Sequence, residues 1–419
     1  MREQGGENRK RRMRIGIFQD AFFPMIDGVV EVVDHYAREM QRYADVTVVV
    51  PEVPGEPFDD SIFPYRVVRC RAVRVPVLDY CLPVPLLDPA FLREVRRMRF
   101  DVVHIHSPFT LGALGVRYAK THHIPVIGTM HTQFQRDFQR AVKSATLASL
   151  MTRVLVGTFR RCDECWAVNA AMARLYHAEY GYPELPGVMR NATDMRPVTD
   201  EAAARGHAEE AFGLGPDEFV LLFVGRLNDL KNVFLIAKSL RYVKERAQKP
   251  FRMLFIGTGQ DERRLRALIR QSGAERETVF AGGVADRELL AAAYARADLM
   301  LFPSLYDASS LVQIEAASQG TPALYVRRAV TADTVTAADP LETGSDEAYD
   351  DAGLVNGFIA DNAPEPYARA ILALMADPER VHAAGENARR ELWVSWGDVT
   401  REVYGRYRHI VREYRLKGR

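Results

Sequence analysis

Two carboxylate side chains, Asp307 and Glu315, stand eight residues apart in a polar segment of the sequence. The apolar run 298–302 precedes them and is typical of a buried parallel strand, so we expect Asp307 on a loop at the strand's carboxyl end. Ligands of open α/β sheets bind at that edge. Because carboxylates accept hydrogen bonds from sugar hydroxyls, the pair predicts a sugar-nucleotide pocket.

The same segment carries the signal of a helix start. Ser310 and Gln313 match the Ser-x-x-Gln capping box, which predicts a helix from about Leu311. The free N–H groups of its first turn and the positive end of its dipole suit a phosphate. Taken alone, the segment also fits an ordinary turn at Asp307 and a solvated helix residue at Glu315.

A second loop supplies positive charge. In VGRLNDLKN, Arg226 and Lys231 stand five residues apart after the apolar strand 219–223. A guanidinium offers a planar fork of donors and an ammonium a compact charge, and together they stabilise negative charge that builds on a leaving diphosphate. The alternative is a basic loop in water.

Both halves of the chain repeat one pattern of elements, in which apolar strands alternate with helices. This pattern predicts a parallel sheet in each half, and 419 residues suit two domains of roughly 200 residues each. The polar stretch 190–210 between the halves is expected to hold the linker. Strands are predicted near Arg14–Phe18, Val46–Val50, Asp101–Ile105, Pro125–Thr129, Glu164–Val168, Phe219–Val224, Arg252–Ile256, Thr278–Ala281, Asp298–Phe302 and Pro322–Val326.

Seven motifs occur in the order found in the retaining glycosyltransferases of family 4, and the chain resembles that family over nearly its whole length. They are PMIDGVV, FDVVHIHSP, IPVIGTMHTQF, VGRLNDLKN, FIGTGQDERRL, VFAGGV and ADLMLFPS, the last followed by the carboxylate pair. The resemblance implies an α/β fold of the GT-B type, in which two Rossmann-like domains with parallel sheets face each other across an interdomain cleft. The expected divisions are a basic tail 1–13, an acceptor-side domain 14–195, a donor-binding domain 196–395 and a C-terminal helix 396–419 that crosses back to the first domain.

The family's reaction moves a sugar from a nucleoside diphosphate sugar, carried by UDP or GDP, to an acceptor hydroxyl of a sugar, lipid or small metabolite. The departing diphosphate takes the acceptor's proton, so no strong side-chain base, metal or other cofactor is needed. The resemblance gives catalytic roles to His131, Arg226, Lys231 and Asp307, although a lone histidine such as His131 is often structural. It gives substrate contacts to Gly28, Gly257, Gly283, Val284, Ala308, Ser309, Ser310, Leu311 and Glu315, with Glu315 on the ribose and Asp307 on the transferred sugar.

The sequence departs from the family pattern near the donor. Asp307 stands where the family has Glu, Ala308-Ser309-Ser310 replaces Gly-Phe-Gly, and Asp27 precedes Gly28 where another Gly is common. Fewer glycines restrict the backbone close to the donor. Two alternatives therefore stay open: a sugar-nucleotide-binding protein with weak or lost transfer activity, and a GT-B-fold sugar-nucleotide epimerase.

Composition excludes other classes of protein. A net charge of +1 gives no drive toward nucleic acid. Four cysteines, with Cys162 and Cys165 the single close pair, predict packed thiols rather than zinc or redox chemistry. His104 and His106 invite a metal interpretation, but a hydrogen-bonded or cleft-lining role fits better, since the sequence offers no third ligand. The longest apolar runs are too short to span a membrane, so we expect a cytoplasmic protein.

A basic amphipathic stretch, 135–162, bears on the acceptor. Six cations against one acid alternate there with Leu147, Leu150, Met151, Val154 and Leu155. Such a stretch can lie on anionic lipid, which predicts peripheral contact with the inner face of the membrane. The alternative is that its apolar face packs inside the domain. The acidic segment 331–351 is expected to be an exposed insertion.

Overall fold

The computed structural model describes residues 11–25, 27–74, 81–142, 144–334, 337–338 and 355–418. The chain divides into two compact units. Unit 1 is Met1–Val168, Ala173–Met189 and Trp396–Arg419, and unit 2 is Asn169–Met172 and Arg190–Ser395. Most of the predicted basic tail and most of the predicted acidic insertion lie outside the described residues.

Unit 1 is built on a seven-stranded parallel sheet with the order β3-β2-β1-β6-β7-β8-β9, beside a short antiparallel pair, β4 and β5. Its strands are β1 Met13–Phe18, β2 Ala44–Pro51, β3 Arg66–Cys70, β4 Ala72–Arg74, β5 Cys81–Pro83, β6 Val102–Ile105, β7 Val126–Met130, β8 Glu164–Ala167 and β9 Gly187–Val188. Its helices are α1 Gly28–Met40, α2 Pro89–Arg97, α3 Thr110–Thr121, α4 Phe134–Val142, α5 Ala145–Phe159, α6 Ala170–Ala178 and α14 Trp396–Leu416, with 3-10 turns at Asp60–Ile62 and Pro85–Leu87. The first three residues of α6 are assigned to unit 2.

The last helix, α14, belongs to unit 1 because it packs on α1. Trp396 stacks on His35 with ring centroids 5.2 Å apart, and Tyr404 stacks on Tyr43 at 5.3 Å. The buried Tyr407 also lies beside His104 of β6. Aromatic pairs of this kind stabilise beyond the area they bury, so the C-terminal helix is a structural part of the first unit.

Unit 2 repeats the plan with the strand order β12-β11-β10-β13-β14-β16-β15. Its strands are β10 Phe219–Val224, β11 Phe251–Ile256, β12 Thr278–Gly282, β13 Leu299–Phe302, β14 Ala323–Val326, β15 Ala337–Ala338 and β16 Gly357–Ala360. Its helices are α7 Glu201–Phe212, α8 Val233–Arg246, α9 Glu262–Gln271, α10 Arg287–Arg296, α11 Leu311–Ser318, α12 Pro364–Ala376 and α13 Pro378–Leu392, with 3-10 turns at Asp229–Lys231 and Ala332–Thr334.

Strand β10 shows why this sheet is buried on both faces. Phe219, Leu221 and Phe223 pack into one apolar cluster, and Val220 and Leu222 pack into another. Successive side chains of a strand point to opposite faces, so a continuous apolar run is what a doubly covered parallel strand requires.

All ten predicted strands are present, with ends that shift by no more than two residues. The α/β class with two parallel sheets is therefore confirmed. The sequence patterns did not reveal β3, β4, β5, β9, β15 or β16. Strand β3, RVVRC, is an edge strand with arginines at two of its five positions, so it lacks the apolar run that marks the central strands.

Candidate active site

The predicted site residues of unit 2 follow two strands that are neighbours in the sheet. Strand β10 pairs with β13 in parallel, so the loops 225–232 and 303–310 leave the sheet side by side at its carboxyl edge. The sheet topology brings together two motifs that are about 80 residues apart in sequence. This edge is where open α/β sheets bind ligands.

Lys231 and Asp307 form an ion pair at this edge. The Nζ atom of Lys231 donates to both carboxylate oxygens of Asp307, at 2.6 and 2.8 Å. Both side chains are largely buried, so solvent screens the pair less than a surface salt bridge. The sequence interpretation gave the two residues separate partners, a diphosphate and a sugar. The structure shows that each neutralises the other.

Arg226 is placed differently. It follows Gly225, whose φ of 145° is a backbone conformation that glycine adopts and other residues rarely do. The side chain of Arg226 is exposed. Within the described part of the chain, its guanidinium has no hydrogen-bond or ion-pair partner. The two predicted cations are therefore not equivalent, because Arg226 is free to meet an anion and Lys231 is already paired.

Close backbone contacts explain the glycines of the loop after β11. A Cβ atom on Gly257 would lie 2.0 Å from the Gly225 carbonyl oxygen, and one on Gly259 would lie 2.2 Å from that of Leu227. The N–H of Leu227 donates to Thr258 O at 2.9 Å. These glycines thus hold the Arg226 loop in place by letting two backbones approach, a structural role for the predicted substrate contact Gly257.

The loop after β12 contains the predicted contacts Gly283 and Val284. Gly283 has open space around the position of a Cβ atom. Val284 is half-buried and packs against one of the apolar clusters of unit 2. Packing therefore accounts for Val284, whereas the sterics of the fold do not require glycine at 283.

Glu315 lies in a network that the sequence did not reveal. Its Oε1 accepts from Arg287 Nη1 at 2.9 Å, and its Oε2 accepts from the Tyr294 hydroxyl at 3.0 Å. Arg287 also donates to Asp194 at 2.6 Å. Burial, and then the charge of Glu315, raise the pKa of Tyr294 well above its ordinary value, so the phenol stays protonated and donates.

Arg287 is the cation that balances the two acids of this network. Burial alone would lower the pKa of Arg287, but Glu315 and Asp194 together raise it. Both Glu315 and Tyr294 are buried. The network fixes the orientation of the Glu315 carboxylate. Arg287 and Tyr294 lie on α10 and Glu315 lies on α11. Sequence offered a weak signal for Arg287, which begins the helix after the Gly-Gly-Val loop.

The loop from Asp307 to Leu311 is held by asparagines. Asn169 donates to Ala308 O at 2.6 Å, and Asn191 donates to Ser309 O at 3.2 Å. Both asparagines are buried. Sequence reasoning missed them because nothing local links these positions to a loop over 100 residues away. They fix the backbone where glycines of the family pattern are replaced.

Helix α11 begins at Leu311, as predicted. The predicted capping box is wrong, because the side chain of Ser310 makes no cap hydrogen bond. Ser310 occupies the N-cap position without a side-chain cap hydrogen bond, and Gln313 N donates to the Ser310 carbonyl instead. Asn191 donates to the carbonyl of the neighbouring Ser309, and this bond holds the loop that ends at Ser310. The side chain of Ser310 is thus not used by its own helix.

In unit 1, Gly28 is the first residue of α1, and Asp27 caps that helix. The Asp27 carboxylate accepts from Val29 N at 2.9 Å and from Val30 N at 2.8 Å. A negative group therefore stands at the helix end where the resemblance places a donor phosphate. A Cβ atom on Gly28 would meet open space, so sterics do not require this glycine.

His131 follows β7 and belongs to a buried histidine cluster. Its Nε2 lies 2.9 Å from His106 Nδ1, and His104 bonds to Tyr407 and to Thr129 at 2.5 and 2.7 Å. Burial lowers the pKa of His131 and of His104 to about 3 and that of His106 well below its ordinary value. The rings are therefore neutral near pH 7, and His131 can offer a neutral imidazole. The hydrogen-bonded role predicted for His104 and His106 is confirmed.

The described residues contain no group of three or more His, Cys, Asp or Glu side chains that could hold a metal ion. Cys165 is buried and Cys162 is half-buried, and both are free thiols. In the same part of the chain, no helix is long and apolar enough to cross a membrane.

Helix α5, in the predicted amphipathic stretch, turns apolar side chains outward. Its inner face is formed by Ala148, Thr152, Val156 and Phe159. Leu147, Leu150 and Val154, spaced three and four apart, share the outer face, where Val154 is 72% exposed. Arg153 is exposed beside them, whereas Lys143 lies outside the described residues. The larger apolar side chains of α5 are thus not all used for packing.

The sequence matches two family descriptions along most of its length. Glycosyltransferase Family 4 matches residues 26–196, and Glycosyl transferases group 1 matches residues 206–391. Both matches fall on the parallel-sheet regions of the two units.

Two curated relatives are similar in sequence. One is the D-inositol 3-phosphate glycosyltransferase 2 of Catenulispora acidiphila, 30% identical over 343 residues that cover 76% of this chain and 73% of the relative. The other is the alpha-monoglucosyldiacylglycerol synthase of Acholeplasma laidlawii, 25% identical over 320 residues that cover 74% and 79%. Among solved structures, Anabaena Alr3699/HepE in complex with UDP and glucose superposes with a TM-score of 0.68 at 16% identity, covering 94% of this chain and 99% of that one.

Proposed function

Because the chain belongs to glycosyltransferase family 4, we propose that it moves a sugar from a UDP- or GDP-linked donor to an acceptor hydroxyl and retains the anomeric configuration. The observation that carries this proposal is the charged pair Lys231–Asp307 at the carboxyl edge of the unit 2 sheet. Its cation suits a diphosphate and its carboxylate suits sugar hydroxyls.

In the proposed reaction, Arg226 and Lys231 hold the diphosphate and stabilise the charge that grows on it as the bond to the sugar's anomeric carbon breaks. The acceptor oxygen forms the new bond on the same face, and its proton passes to the leaving diphosphate oxygen. Lys231 exchanges Asp307 for phosphate oxygens during binding. Asp307 is then released to the hydroxyls of the sugar.

Glu315 binds the ribose in this proposal. Arg287 and Tyr294 hold its carboxylate in one orientation, so the ribose hydroxyls meet an acceptor that needs little reorganisation. The resemblance gives His131 a catalytic role, and burial keeps its ring neutral near pH 7 by lowering its pKa. No metal ion or other cofactor is part of the proposed chemistry.

A lipid is the acceptor class that the surface supports best. The outward apolar stripe of α5, with Arg153 beside it, suits contact with anionic lipid. Two of the relatives carry the name alpha-monoglucosyldiacylglycerol synthase. We place the protein in the cytoplasm, peripherally on the inner face of the membrane.

A donor panel tests this function. Calorimetric titration with UDP- and GDP-sugars should give saturable binding for at least one of them. Acceptor trials with that donor should then give a product whose anomeric proton has the donor's configuration by NMR. An inverted product would contradict the mechanism, and no binding of any donor would contradict the function.

A second candidate function, sugar-nucleotide binding with weak transfer, is favoured by two observations. Lys231 is neutralised by Asp307, and the replaced glycines leave the loop tied to Asn169 and Asn191. Tight donor binding without turnover on any acceptor would support it. A labelled donor converted to its epimer would instead support the epimerase alternative.

A further inference from the structure

The large apolar side chains that the described residues leave exposed all belong to unit 1. One group is the outer face of α5. A second group, which the proposed function does not use, lies on the antiparallel pair β4–β5 and the 3-10 turn after it. We call this second group, Val73, Leu82, Leu86 and Leu87, the Leu86 surface.

Pairing in the short sheet explains why these side chains stand together. Val73 lies directly opposite Leu82, so both side chains point to the same face, and both are exposed. The opposite face, with Ala72 and Cys81, is buried against Val53. The Val84 N–H donates to Arg71 O at 2.8 Å, which places Arg71 beside the start of the leucine turn.

The leucines are the most protruding part of this surface. Leu86 is 78% exposed and Leu87 is 69% exposed, on a turn whose proline, Pro85, is buried and anchors it. Two adjacent leucines held out on a rigid turn lose little conformational freedom when they enter an apolar phase. Such a pair is suited to insertion rather than to a flat contact.

Positive charge predominates in the sequence around the leucines, although Arg74 pairs with Glu56. Among the described residues 66–99, the exposed charged side chains are Glu94 and seven arginines: Arg66, Arg71, Arg74, Arg93, Arg96, Arg97 and Arg99. Helix α2, which begins two residues after the leucine turn, carries three of them. The excess is local, because the whole chain has a net charge of only +1.

An open cavity of about 590 Å³ runs along α2, lined by Arg66, Arg93, Glu94 and Arg97 among others. Arg66 pairs with Glu94 at 2.7 Å. Across the residues that the structure describes, Arg93 and Arg97 have no ion-pair partner. The cavity therefore offers two uncompensated guanidinium groups within one concave site, and guanidinium is the side chain best matched to phosphate.

We infer that the Leu86 surface and the adjoining arginines of α2 dock unit 1 on an anionic bilayer. Leu86 and Leu87 enter the boundary between headgroups and acyl chains, and Arg93 and Arg97 bind lipid phosphates in the cavity. This inference rests on the proposed function in one respect, which is that the protein acts at a membrane. It adds a contact, separate from α5, that would fix the orientation of unit 1 at the surface.

A bilayer fits this surface better than a protein partner does. Protein interfaces are depleted of charge at their core and enriched in aromatic side chains, whereas this surface combines aliphatic tips with arginines. That combination is typical of peripheral contact with anionic lipid, where apolar burial and attraction to headgroups add together.

The test is sedimentation of the full chain with vesicles of phosphatidylcholine mixed with phosphatidylglycerol, against phosphatidylcholine alone. The parent should bind the anionic vesicles and dissociate as salt rises. Leu86→Ser with Leu87→Ser should lower the partition coefficient about tenfold or more, and Arg93→Gln with Arg97→Gln should lower it about tenfold at low salt.

Matched controls are available on α14. Leu416 is 77% exposed, as Leu86 is, and Arg408 and Arg412 are exposed arginines outside the surface. Leu416→Ser and the pair Arg408→Gln with Arg412→Gln should stay within about twofold of the parent. Melting curves and calorimetry with nucleotide show that each variant keeps its fold and the unit 2 site.

The inference would be overturned by parent-like binding of both variants of the Leu86 surface, by equal losses in the controls, or by no binding of the parent to anionic vesicles at low salt. Binding to polyglutamate without binding to vesicles would assign the surface to an acidic protein and also overturn it. If Leu150→Ser with Val154→Ser alone removes binding, the α5 contact stands and the Leu86 surface fails. Donor binding by calorimetry is independent of all these results, so a failure of the proposed transfer function would be seen separately.

Discussion

The two units share one sheet plan but place different chemistry at its carboxyl edge. In unit 2 the edge carries the charged groups Lys231, Asp307, Arg287 and Glu315, paired with one another. In unit 1 it carries neutral histidines, of which His131 follows β7, and the outward leucines of α5 follow the same strand. Since the first five strands of each sheet follow the same order, the difference lies in the loops and helices that follow these strands.

This contrast separates what the fold supplies from what the loops supply. The parallel sheets bring distant loops together in both units, as the Lys231–Asp307 contact shows. Under the proposed function, the charges of unit 2 hold an anionic, hydroxyl-rich ligand, and the neutral and apolar groups of unit 1 meet an acceptor with apolar parts. Four experiments test this difference between the two units.

Removing a cation of unit 2 should have the largest effect. Arg226→Ala or Lys231→Ala should raise the activation free energy by about 2 to 4 kcal/mol, which lowers kcat/KM roughly 30-fold to 1000-fold. In the proposed reaction, each cation stabilises charge on the leaving diphosphate. Steady-state donor consumption by folded variants measures this. Lys249→Ala, an exposed lysine of the same unit, is the control. Activity within threefold of the parent for both site variants would contradict the assignment of Arg226 and Lys231 to the diphosphate.

Acid should destabilise the chain through unit 1. Burial lowers the pKa of His104 and His131 to about 3, below the value near 6.5 of an unfolded chain. Between pH 6.5 and 3 the unfolded chain binds more protons, so the free energy of unfolding falls as pH falls, by up to about 1.4 kcal/mol per pH unit for each buried histidine. The stabilisation is complete above pH 6.5.

Urea unfolding between pH 7 and 5 measures this slope. His106→Gln removes a third buried histidine, whose pKa is also lowered by burial, and should reduce the slope by about one proton. His207→Gln, at an exposed position of unit 2, should leave the slope unchanged. Equal slopes for the parent and His106→Gln would show that the cluster does not govern acid stability.

Glu315→Gln should weaken binding of the bare nucleoside diphosphate about tenfold, with every sugar donor affected alike, because a charged acceptor for the ribose is lost. Tyr294→Phe removes one hydrogen bond but keeps the carboxylate, so it should cost about threefold. Calorimetry with free nucleotide compares them. Parent-like affinity in Glu315→Gln would leave Glu315 a purely structural residue of the Arg287 network.

Asp307→Asn should have the smallest effect on nucleotide affinity, and in the opposite direction. The change frees Lys231 and removes a negative charge near the phosphates, so the bare nucleoside diphosphate should bind about threefold more tightly while turnover falls. Asp229→Asn, an exposed acid of the neighbouring loop, should change neither quantity. Weaker binding in Asp307→Asn would mean that the pair does not compete with phosphate.

Periodicity and apolar runs predicted the fold well, since a buried parallel strand such as β10 has to be continuously apolar. Edge strand β3 was missed because arginines at two of its five positions interrupt the apolar run, although only Arg66 is exposed. At the site, residue types pointed to Lys231 and Asp307 individually. Their mutual pairing depends on β10 lying beside β13, which no local pattern contains.

The partners of Glu315 and of the Ala308 loop were unpredictable for the same reason. Arg287, Asn169 and Asn191 act through contacts between segments far apart in sequence. The Ser310 capping box failed in another way. Gln313 N bonds to the serine's backbone carbonyl, so the motif matched a helix start without its usual side-chain bond.

Hydrogen–deuterium exchange of the full chain with UDP or GDP, whichever binds, tests the central claim most directly. If the charged edge of unit 2 holds the donor's nucleotide, protection should appear in segments 225–232 and 303–318. Segments 81–97 and 145–159 of unit 1, which carry its outward apolar side chains, should exchange as before. Protection confined to unit 1, with 225–232 and 303–318 unchanged, would contradict the assignment of the donor site.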